Sequence, residues 1–159
     1  MKFTFLFLIL SYMLQAEAPE SKKHMMDFWI GDWNASWQDS IQGSNHIAKV
    51  LGDHVVEENF KLNDGSFIGK SWSLLDSVSG EWKQTWVDNT SSYLVFKGRK
   101  EADTVIFEEI ESVTKNGQKH YRRMIFYSIK NESFEWDWQS STDRISWKSV
   151  WHILYTRKK

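Results

Sequence analysis

The sequence of 159 residues contains no cysteine and a single proline, Pro19. Without cysteine the chain cannot form a disulfide bond, a thiolate nucleophile or a lipid-modified thiol. The net charge is −1, and acidic and basic residues are interspersed, which excludes the basic surface that nucleic acids and anionic lipids require. No apolar run reaches the ~20 residues of a membrane-spanning helix. We therefore expect no nucleic-acid partner and no stable membrane insertion.

The N-terminal segment, residues 1–18, has the pattern of a secretory signal peptide. A lysine precedes an apolar run over residues 3–14, and the segment ends in Ala-Glu-Ala, the small-x-small order that signal peptidases cleave. Cleavage is expected after Ala18 or after Ala16. The pattern predicts an exported protein, periplasmic or secreted, with one domain over residues 19–159. The lack of cysteine favours a bacterial source for such a protein.

Tryptophan is abundant, with ten in the chain. Many of the tryptophans alternate with polar residues, which is the period-2 pattern of strands with one buried face. Such rows occupy residues 33–37, 82–86, 134–138 and 147–155. Turn signals separate these rows at intervals of roughly 9–15 residues, beginning with Gly43-Ser44. The pattern predicts about ten short antiparallel strands, closed into a β-barrel that leaves no exposed edge.

The stretch FWIGDW, residues 28–33, joins a different kind of segment to the first strand. Residues 20–29 carry an apolar face beside charged residues and predict a short helix that caps one end of the barrel and ends at Gly31. A short helix followed by Gly-x-Trp resembles the opening of lipocalins and other calycins. In these proteins the tryptophan plugs one end of the barrel and an arginine after the last strand covers its ring. The resemblance implies a structural latch between Trp33 and Arg157.

A pattern along the whole chain resembles a bacterial calycin-like family, domain of unknown function 1579. It comprises FWIGDW, Gly43-x-Asn45-x-Ile47, Glu58, Gly69-x-Ser71, Asp76, Gly80-x-Trp82-x-Gln84-x-Trp86-Val87-Asp88, Gly98, Arg123, Trp138, Ser141-Thr142-Asp143, Trp147 and Tyr155-x-Arg157. The resemblance implies a β-barrel and, in many members, export, but no established reaction. The sequence departs from the family pattern at Ser73, Leu75, His54 and Trp136, which alters the expected lining of the barrel.

Hairpin geometry predicts which side chains face inward. If residues 77–80 form a connection, Ser73 opposes Gln84 and Ser71 opposes Trp86 on one face. A two-residue turn at Gly52-Asp53 places Glu58 opposite Ile47, on the more apolar face, which also carries Lys49. One arginine of the Arg122-Arg123 pair should enter the barrel, and we select Arg123. The predicted ligand-binding residues are Asn45, Glu58, Ser71, Ser73, Gln84, Trp86, Arg123, Trp138, Trp151 and Tyr155.

These inward polar residues support more than one interpretation. They could form a polar network that satisfies itself, or they could be the polar groups of a pocket with aromatic walls. Our main hypothesis is an exported barrel that binds a small apolar or planar molecule. An enzyme that acts on a small hydrophobic substrate with Glu58 as general base is the alternative from another class. Against this alternative, an inward glutamate is more often part of an ion pair, here with Lys49 or Arg123. A structural barrel with a filled core is a third interpretation.

Cofactor binding has little support in the sequence. The five histidines show no metal-ligand spacing, so no metal site is predicted. A haem-binding barrel remains an alternative because some calycin-like barrels hold haem through a strand histidine near the C-terminus. His152 lies in that region but alternates onto the outward face, and His54 is the only histidine that we place inward. Stacking of sugars on exposed tryptophans is also left open.

Overall fold

A computed structural model describes residues 20–159, so the predicted signal peptide lies outside the described residues. The described chain begins with a one-turn helix, α1 (Glu20–Lys23), and a 3₁₀ turn, η1 (Asp27–Trp29). Eleven strands follow within residues 20–159. They are β1 (Gly31–Trp37), β2 (Ser40–Val50), β3 (Val55–Leu62), β4 (Ile68–Leu75), β5 (Trp82–Asp88), β6 (Tyr93–Glu101), β7 (Thr104–Glu109), β8 (Val113–Lys115), β9 (Gln118–Tyr127), β10 (Ser133–Ser141) and β11 (Lys148–Arg157).

The strands form a closed antiparallel barrel. Each strand from β1 to β6 pairs with the next, β7 pairs with β9, and β9, β10 and β11 continue the ring. The pairing of β11 with β1 closes it into ten strands, while β8 pairs with β9 beside the ring. The prediction of an all-β barrel of about ten strands with a short N-terminal helix is therefore confirmed. None of the helices within residues 20–159 is long and apolar enough to cross a membrane.

The first hairpin differs from the sequence-based prediction. Its turn lies at Gln38 and Asp39, which have φ angles of 52° and 59°, and Gly43 lies inside β2. A Cβ atom at Gly43 would approach the carbonyl oxygen of Lys61 to 2.7 Å, so only glycine allows β3 to come this close. The turn signal at Gly43-Ser44 was therefore wrong because a glycine within a strand can also mark close backbone approach.

The N-terminal segment closes one end of the barrel. Met26, Trp29 and Trp33 are almost completely buried there, and we call these three residues the closed end. The predicted continuous helix over residues 20–29 is instead split into α1 and η1. Within α1, the carbonyl of Lys22 accepts a hydrogen bond of 2.7 Å from the indole nitrogen of Trp82. This bond ties the N-terminal segment to β5.

Trp33 and Arg157 make the contact that the resemblance to calycins implies. They are paired residues of β1 and β11, and the guanidinium carbon of Arg157 lies 4.2 Å from the centre of the Trp33 ring. Arg157 also donates to the carbonyl oxygens of Ile30, at 3.1 Å, and Asn131, at 2.9 Å. The Trp33 indole donates to the carbonyl of Trp29 at 2.7 Å. The two residues thus join the first strand, the last strand and η1.

Gly31 is required by this arrangement for two reasons. Its φ angle is +133°, a conformation that other L-residues rarely adopt. A Cβ atom at this position would also lie 2.3 Å from the Nη1 atom of Arg157. The next residue, Asp32, is exposed and contacts His46 at 2.8 Å, as expected for a residue on the outer face of β1.

We predict that Trp33→Ala lowers the free energy of unfolding by ~3–5 kcal/mol, because the side chain is completely buried. Arg157→Ala should destabilise less, and a double-mutant cycle measured by urea unfolding should give a coupling of about 1–2 kcal/mol. Arg123 and Trp147 provide a matched control on the outer surface, where the guanidinium carbon lies 4.0 Å from the ring centre. Their coupling should be at most half as large, because solvent screens it. Additive effects of the Trp33 and Arg157 substitutions would contradict the latch.

Candidate functional site

The barrel contains a cavity of about 250 Å³. Its wall consists mainly of aromatic side chains, which come from η1, from strands β3, β5, β6, β9, β10 and β11, and from the loop before β4. Trp29 belongs to the closed end, whereas Trp86, Trp136 and Trp138 are half-buried. The cavity therefore extends from the closed end towards solvent. The rings that line it are Trp29, Phe60, Phe67, Trp86, Phe96, Phe126, Trp136, Trp138, Trp151 and Tyr155.

Half of the predicted ligand-binding residues lie on the cavity wall, and four more lie directly behind it. The wall contains Glu58, Trp86, Trp138, Trp151 and Tyr155. The residues behind it are Asn45, Ser71, Ser73 and Gln84, all buried. The tenth, Arg123, points away from the barrel interior.

The buried polar residues form one hydrogen-bonded network around Glu58. Asn45 Nδ2 donates to Glu58 Oε1 at 2.7 Å, and Ser71 Oγ donates to Glu58 Oε2 at 2.6 Å. Gln84 Nε2 donates to both serine hydroxyls, at 3.1 Å to Ser71 and 2.9 Å to Ser73. The residues meet because Ser71 opposes both Glu58 and Trp86, and Ser73 opposes Gln84, in the strand register. The register of β4 against β5 is the one that the hairpin geometry predicts, whereas the pairing of Glu58 with Ser71 comes from the structure.

Glu58 is a buried carboxyl group without a cationic partner. Burial raises its pKa from the ordinary 4.5 to about 7, although the hydrogen bonds from Ser71 and Asn45 oppose the rise. Among the described residues no lysine, arginine or histidine forms an ion pair with it. Lys49, one of the two partners that the sequence suggested, lies near the end of β2 and pairs with Asp27 at 2.8 Å. Close to neutral pH, Glu58 therefore exchanges readily between its charged and neutral forms.

Tyr155 is the buried hydroxyl of the same wall. Burial raises its pKa well above the ordinary value of 10, and the neighbouring Glu58 carboxylate adds to the rise. The hydroxyl therefore keeps its proton throughout the physiological range. Asp88, at the end of β5, behaves differently: burial would raise its pKa, but hydrogen bonds from Thr90, Trp86 and the backbone lower it to about 2. It stays ionised.

The arginine that lines the cavity is Arg122, so the selection of Arg123 was wrong. Arg122 makes a bidentate ion pair with the buried carboxylate of Glu109. Arg123 instead donates to Gln139 at 2.7 Å and stacks on Trp147 outside the barrel, so it is no partner of Glu58. The alternation of inward and outward side chains along β9 identifies the arginine that faces the cavity. Met124 and Phe126 are buried core residues, and Arg122 shares their face at period 2.

The inward placement of His54 was also wrong. His54 lies in the turn between β2 and β3 and is exposed, because the connection is longer than the two residues assumed. His152 is exposed on β11, as expected, and contacts Asp137 at 2.7 Å. The haem alternative therefore loses the one histidine placed inward. No cluster of three potential metal ligands occurs in the part of the chain that the structure describes.

Several residues that line the cavity were not among the predicted ligand-binding residues. Phe67 and Leu94 lie just outside or near the start of strands, where no alternation marks an inward face. Trp136 lies between Phe134 and Trp138 in one alternating row, so the alternation already marked Trp136 as an inward-facing residue. Phe96 opposes Gln84 across β5 and β6, a pairing that only the strand register reveals.

Glu58 makes a pH-dependent contribution to stability. Because its pKa is about 7 in the folded barrel and near 4.5 in the unfolded chain, the folded state binds the proton more tightly between these values. We predict that the contribution is complete below pH 4.5 and is lost as the pH rises through 7, a change of about 3 kcal/mol. Urea unfolding should therefore show wild-type protein losing stability relative to Glu58→Gln between pH 5 and pH 8.

Glu57→Gln is the matched control for this experiment. Glu57 is the preceding residue, is outward-facing, and accepts hydrogen bonds from Asn59 and Trp72. These bonds lower its pKa, so its substitution should not change the slope between pH 5 and pH 8. A stability difference between wild type and Glu58→Gln that is the same at both pH values would contradict the prediction.

Comparison with known proteins adds no relative at this point. The sequence matches no protein-family model, and no curated protein matches it. The resemblance to domain of unknown function 1579 therefore stays a prediction, and the geometry of the cavity carries the functional argument.

Proposed function

We propose that the barrel binds one small, mostly apolar and planar molecule in its central cavity. The observation that carries the proposal is the cavity of about 250 Å³ with aromatic walls and, among the described residues, one buried carboxyl group on its surface, Glu58. Ligand sites typically combine apolar and aromatic walls with few polar groups. A cavity of roughly 150 Å³ already admits benzene, so this one has room for a molecule of one or two rings.

The cavity volume argues against the filled-core alternative. Protein interiors pack like organic crystals and contain few voids larger than a water molecule. The cavity here, at about 250 Å³, is far larger than the space that one water needs. Large aromatic side chains are present on every side of it, yet they leave the centre open. A binding role accounts for this space, whereas a purely structural barrel would be more stable without it.

Export and family membership belong to the same proposal. The support for export is the signal-peptide pattern of residues 1–18, with a periplasmic or secreted destination and a bacterial source. The support for the family is the motif from FWIGDW to Tyr155-x-Arg157. A barrel that binds a small molecule outside the cytoplasm is consistent with both.

Trp86 offers a precise way to disturb the wall. Its ring lies over Gly69 of the neighbouring strand, and a Cβ atom at Gly69 would approach the ring to 2.0 Å. Any side chain at position 69 must therefore displace Trp86. Gly98 is a matched position, because the ring of Phe107 covers it at 2.6 Å, but Phe107 does not line the cavity.

We predict that tryptophol, a neutral indole derivative, binds the wild-type barrel with one molecule per chain in isothermal titration calorimetry. Gly69→Ala should weaken this affinity at least tenfold because Trp86 leaves its position. Gly98→Ala should change it less than threefold, measured well below the melting temperature of each variant. Equal losses in both variants would show that the site lies elsewhere. Absence of binding by tryptophol and by charged indole derivatives alike would overturn the proposed function.

A reaction on the bound molecule is the second candidate function, and the pKa of Glu58 near 7 favours it. A general base should be partly ionised at the pH at which it works, which this carboxyl is. Glu58→Gln separates the two functions: tryptophol affinity should stay within threefold of wild type, while conversion of any molecule that co-purifies from the source organism should stop. Unchanged conversion in this variant would exclude Glu58 as a base.

A further inference from the structure

The charges on the cavity wall are unbalanced. Two carboxyl groups lie on it, from Glu58 and Asp88. Among the described lining residues, Arg122 is the one basic side chain, and the bidentate pair with Glu109 already neutralises it. With both wall carboxyls ionised, the cavity carries a net negative charge. A cationic ligand would restore the balance, and an anionic ligand would increase the repulsion.

The polar network behind the wall has two buried hydrogen-bond acceptors without a donor among the described residues. The amide nitrogens of Asn45 and Gln84 already donate to Glu58 and to the serine hydroxyls. Their amide oxygens, Asn45 Oδ1 and Gln84 Oε1, are buried and have no hydrogen-bond partner in the described chain. The unpartnered donor is Trp29 Nε1, which belongs to the closed end. The buried atoms of the Glu58 network that lack a partner among the described residues are therefore acceptors.

The aromatic wall also favours positive charge. The face of an indole ring is electron-rich and attracts a cation within about 6 Å of its centre, more strongly where water is excluded. Five tryptophans of the described chain line the cavity: Trp29, Trp86, Trp136, Trp138 and Trp151. The guanidinium carbon of Arg122 lies 5.7 Å from the centre of the Trp138 ring, so one ring of this wall already interacts with a cation.

We propose that the ligand of this cavity is a small aromatic monocation, an amine or amidine attached to one or two fused rings, whose charged nitrogen pairs with Glu58. The inference rests on the proposed function, because it names the chemical class of the molecule bound at the same site. A cavity of about 250 Å³ has room for such a molecule. The flat rings contact the tryptophans, and the cation supplies the partner that Glu58 lacks.

Pairing with a cation should change the protonation of Glu58. In the free barrel the carboxyl has a pKa of about 7, and a bound ammonium favours its ionised form. Two other titratable groups of the wall do not change near neutral pH, since Tyr155 stays protonated and Asp88 stays ionised. The remaining charged group, Arg122, forms an ion pair with Glu109. At pH 7 the binding of a cation should therefore release roughly half a proton per chain.

Three indole derivatives that differ mainly in charge test the proposal: tryptamine, a cation; tryptophol, which is neutral; and indole-3-acetate, an anion. Isothermal titration calorimetry at pH 8 and low salt should show tryptamine binding at least tenfold more tightly than tryptophol, and indole-3-acetate binding most weakly. Repeating the tryptamine titration at pH 7 in two buffers of different ionisation enthalpy measures the released proton. Tryptophol should release none.

Two substitutions assign the effect to Glu58. In Glu58→Gln the preference for tryptamine over tryptophol should fall below threefold and the proton release should disappear. Glu57→Gln removes the same charge from the outward face of β3 and should leave the preference and the proton release unchanged. Circular dichroism confirms that both variants are folded, and the wild-type comparison of the three probes stands without either variant.

The outcomes separate this inference from the proposed function. Equal affinities for tryptamine and tryptophol, or tightest binding of indole-3-acetate, would overturn the cationic ligand class while the cavity remained a binding site. A tryptamine preference that persists in Glu58→Gln would overturn the role of this carboxyl. Failure of all three probes to bind would remove the proposed function itself.

Discussion

The pairing of β1 with β11 is the constraint on which the rest of the structure depends. It converts a sheet with two edges into a ring, so that alternate side chains of ten strands must point to one shared interior. Trp33 and Arg157 hold this junction, and the same contact anchors η1 across the closed end. The cavity is consequently sealed at one end and lined by rings from strands that are distant in sequence.

Within that ring, the burial of Glu58 sets the chemistry. A carboxyl group without a cation is unfavourable in an apolar interior, and Asn45 and Ser71 compensate only in part. Proteins commonly keep such destabilising groups where function needs them. The arrangement contrasts with Arg122 and Glu109 on the same barrel, where a buried carboxylate has its partner. Glu109 is thus part of a structural ion pair, whereas Glu58 is the carboxyl group to which we assign the proposed ligand.

Local pattern predicted the parts of the site that depend on a single hairpin. The register of β4 against β5, and of β2 against β3, follows from alternation and turn position, so Ser71, Ser73, Gln84 and Glu58 were correctly placed together. Two predictions were wrong because the sequence pattern at these residues was compatible with two structural roles. Gly43 marks close approach of two strands and not a turn, and Arg122, not Arg123, shares the inward face of Met124.

The sequence by itself determined the class of the fold, because the period-2 alternation of aromatic residues is compatible only with strands that bury one face. It also determined which side chains share a face within a hairpin. Only the tertiary structure decided that Lys49 pairs with Asp27 and leaves Glu58 unpaired, since that pairing joins η1 to β2. The cavity, too, belongs to the tertiary structure. Its volume is the space that side chains from across the whole ring leave unfilled, and closure of the ring sets the distances between them.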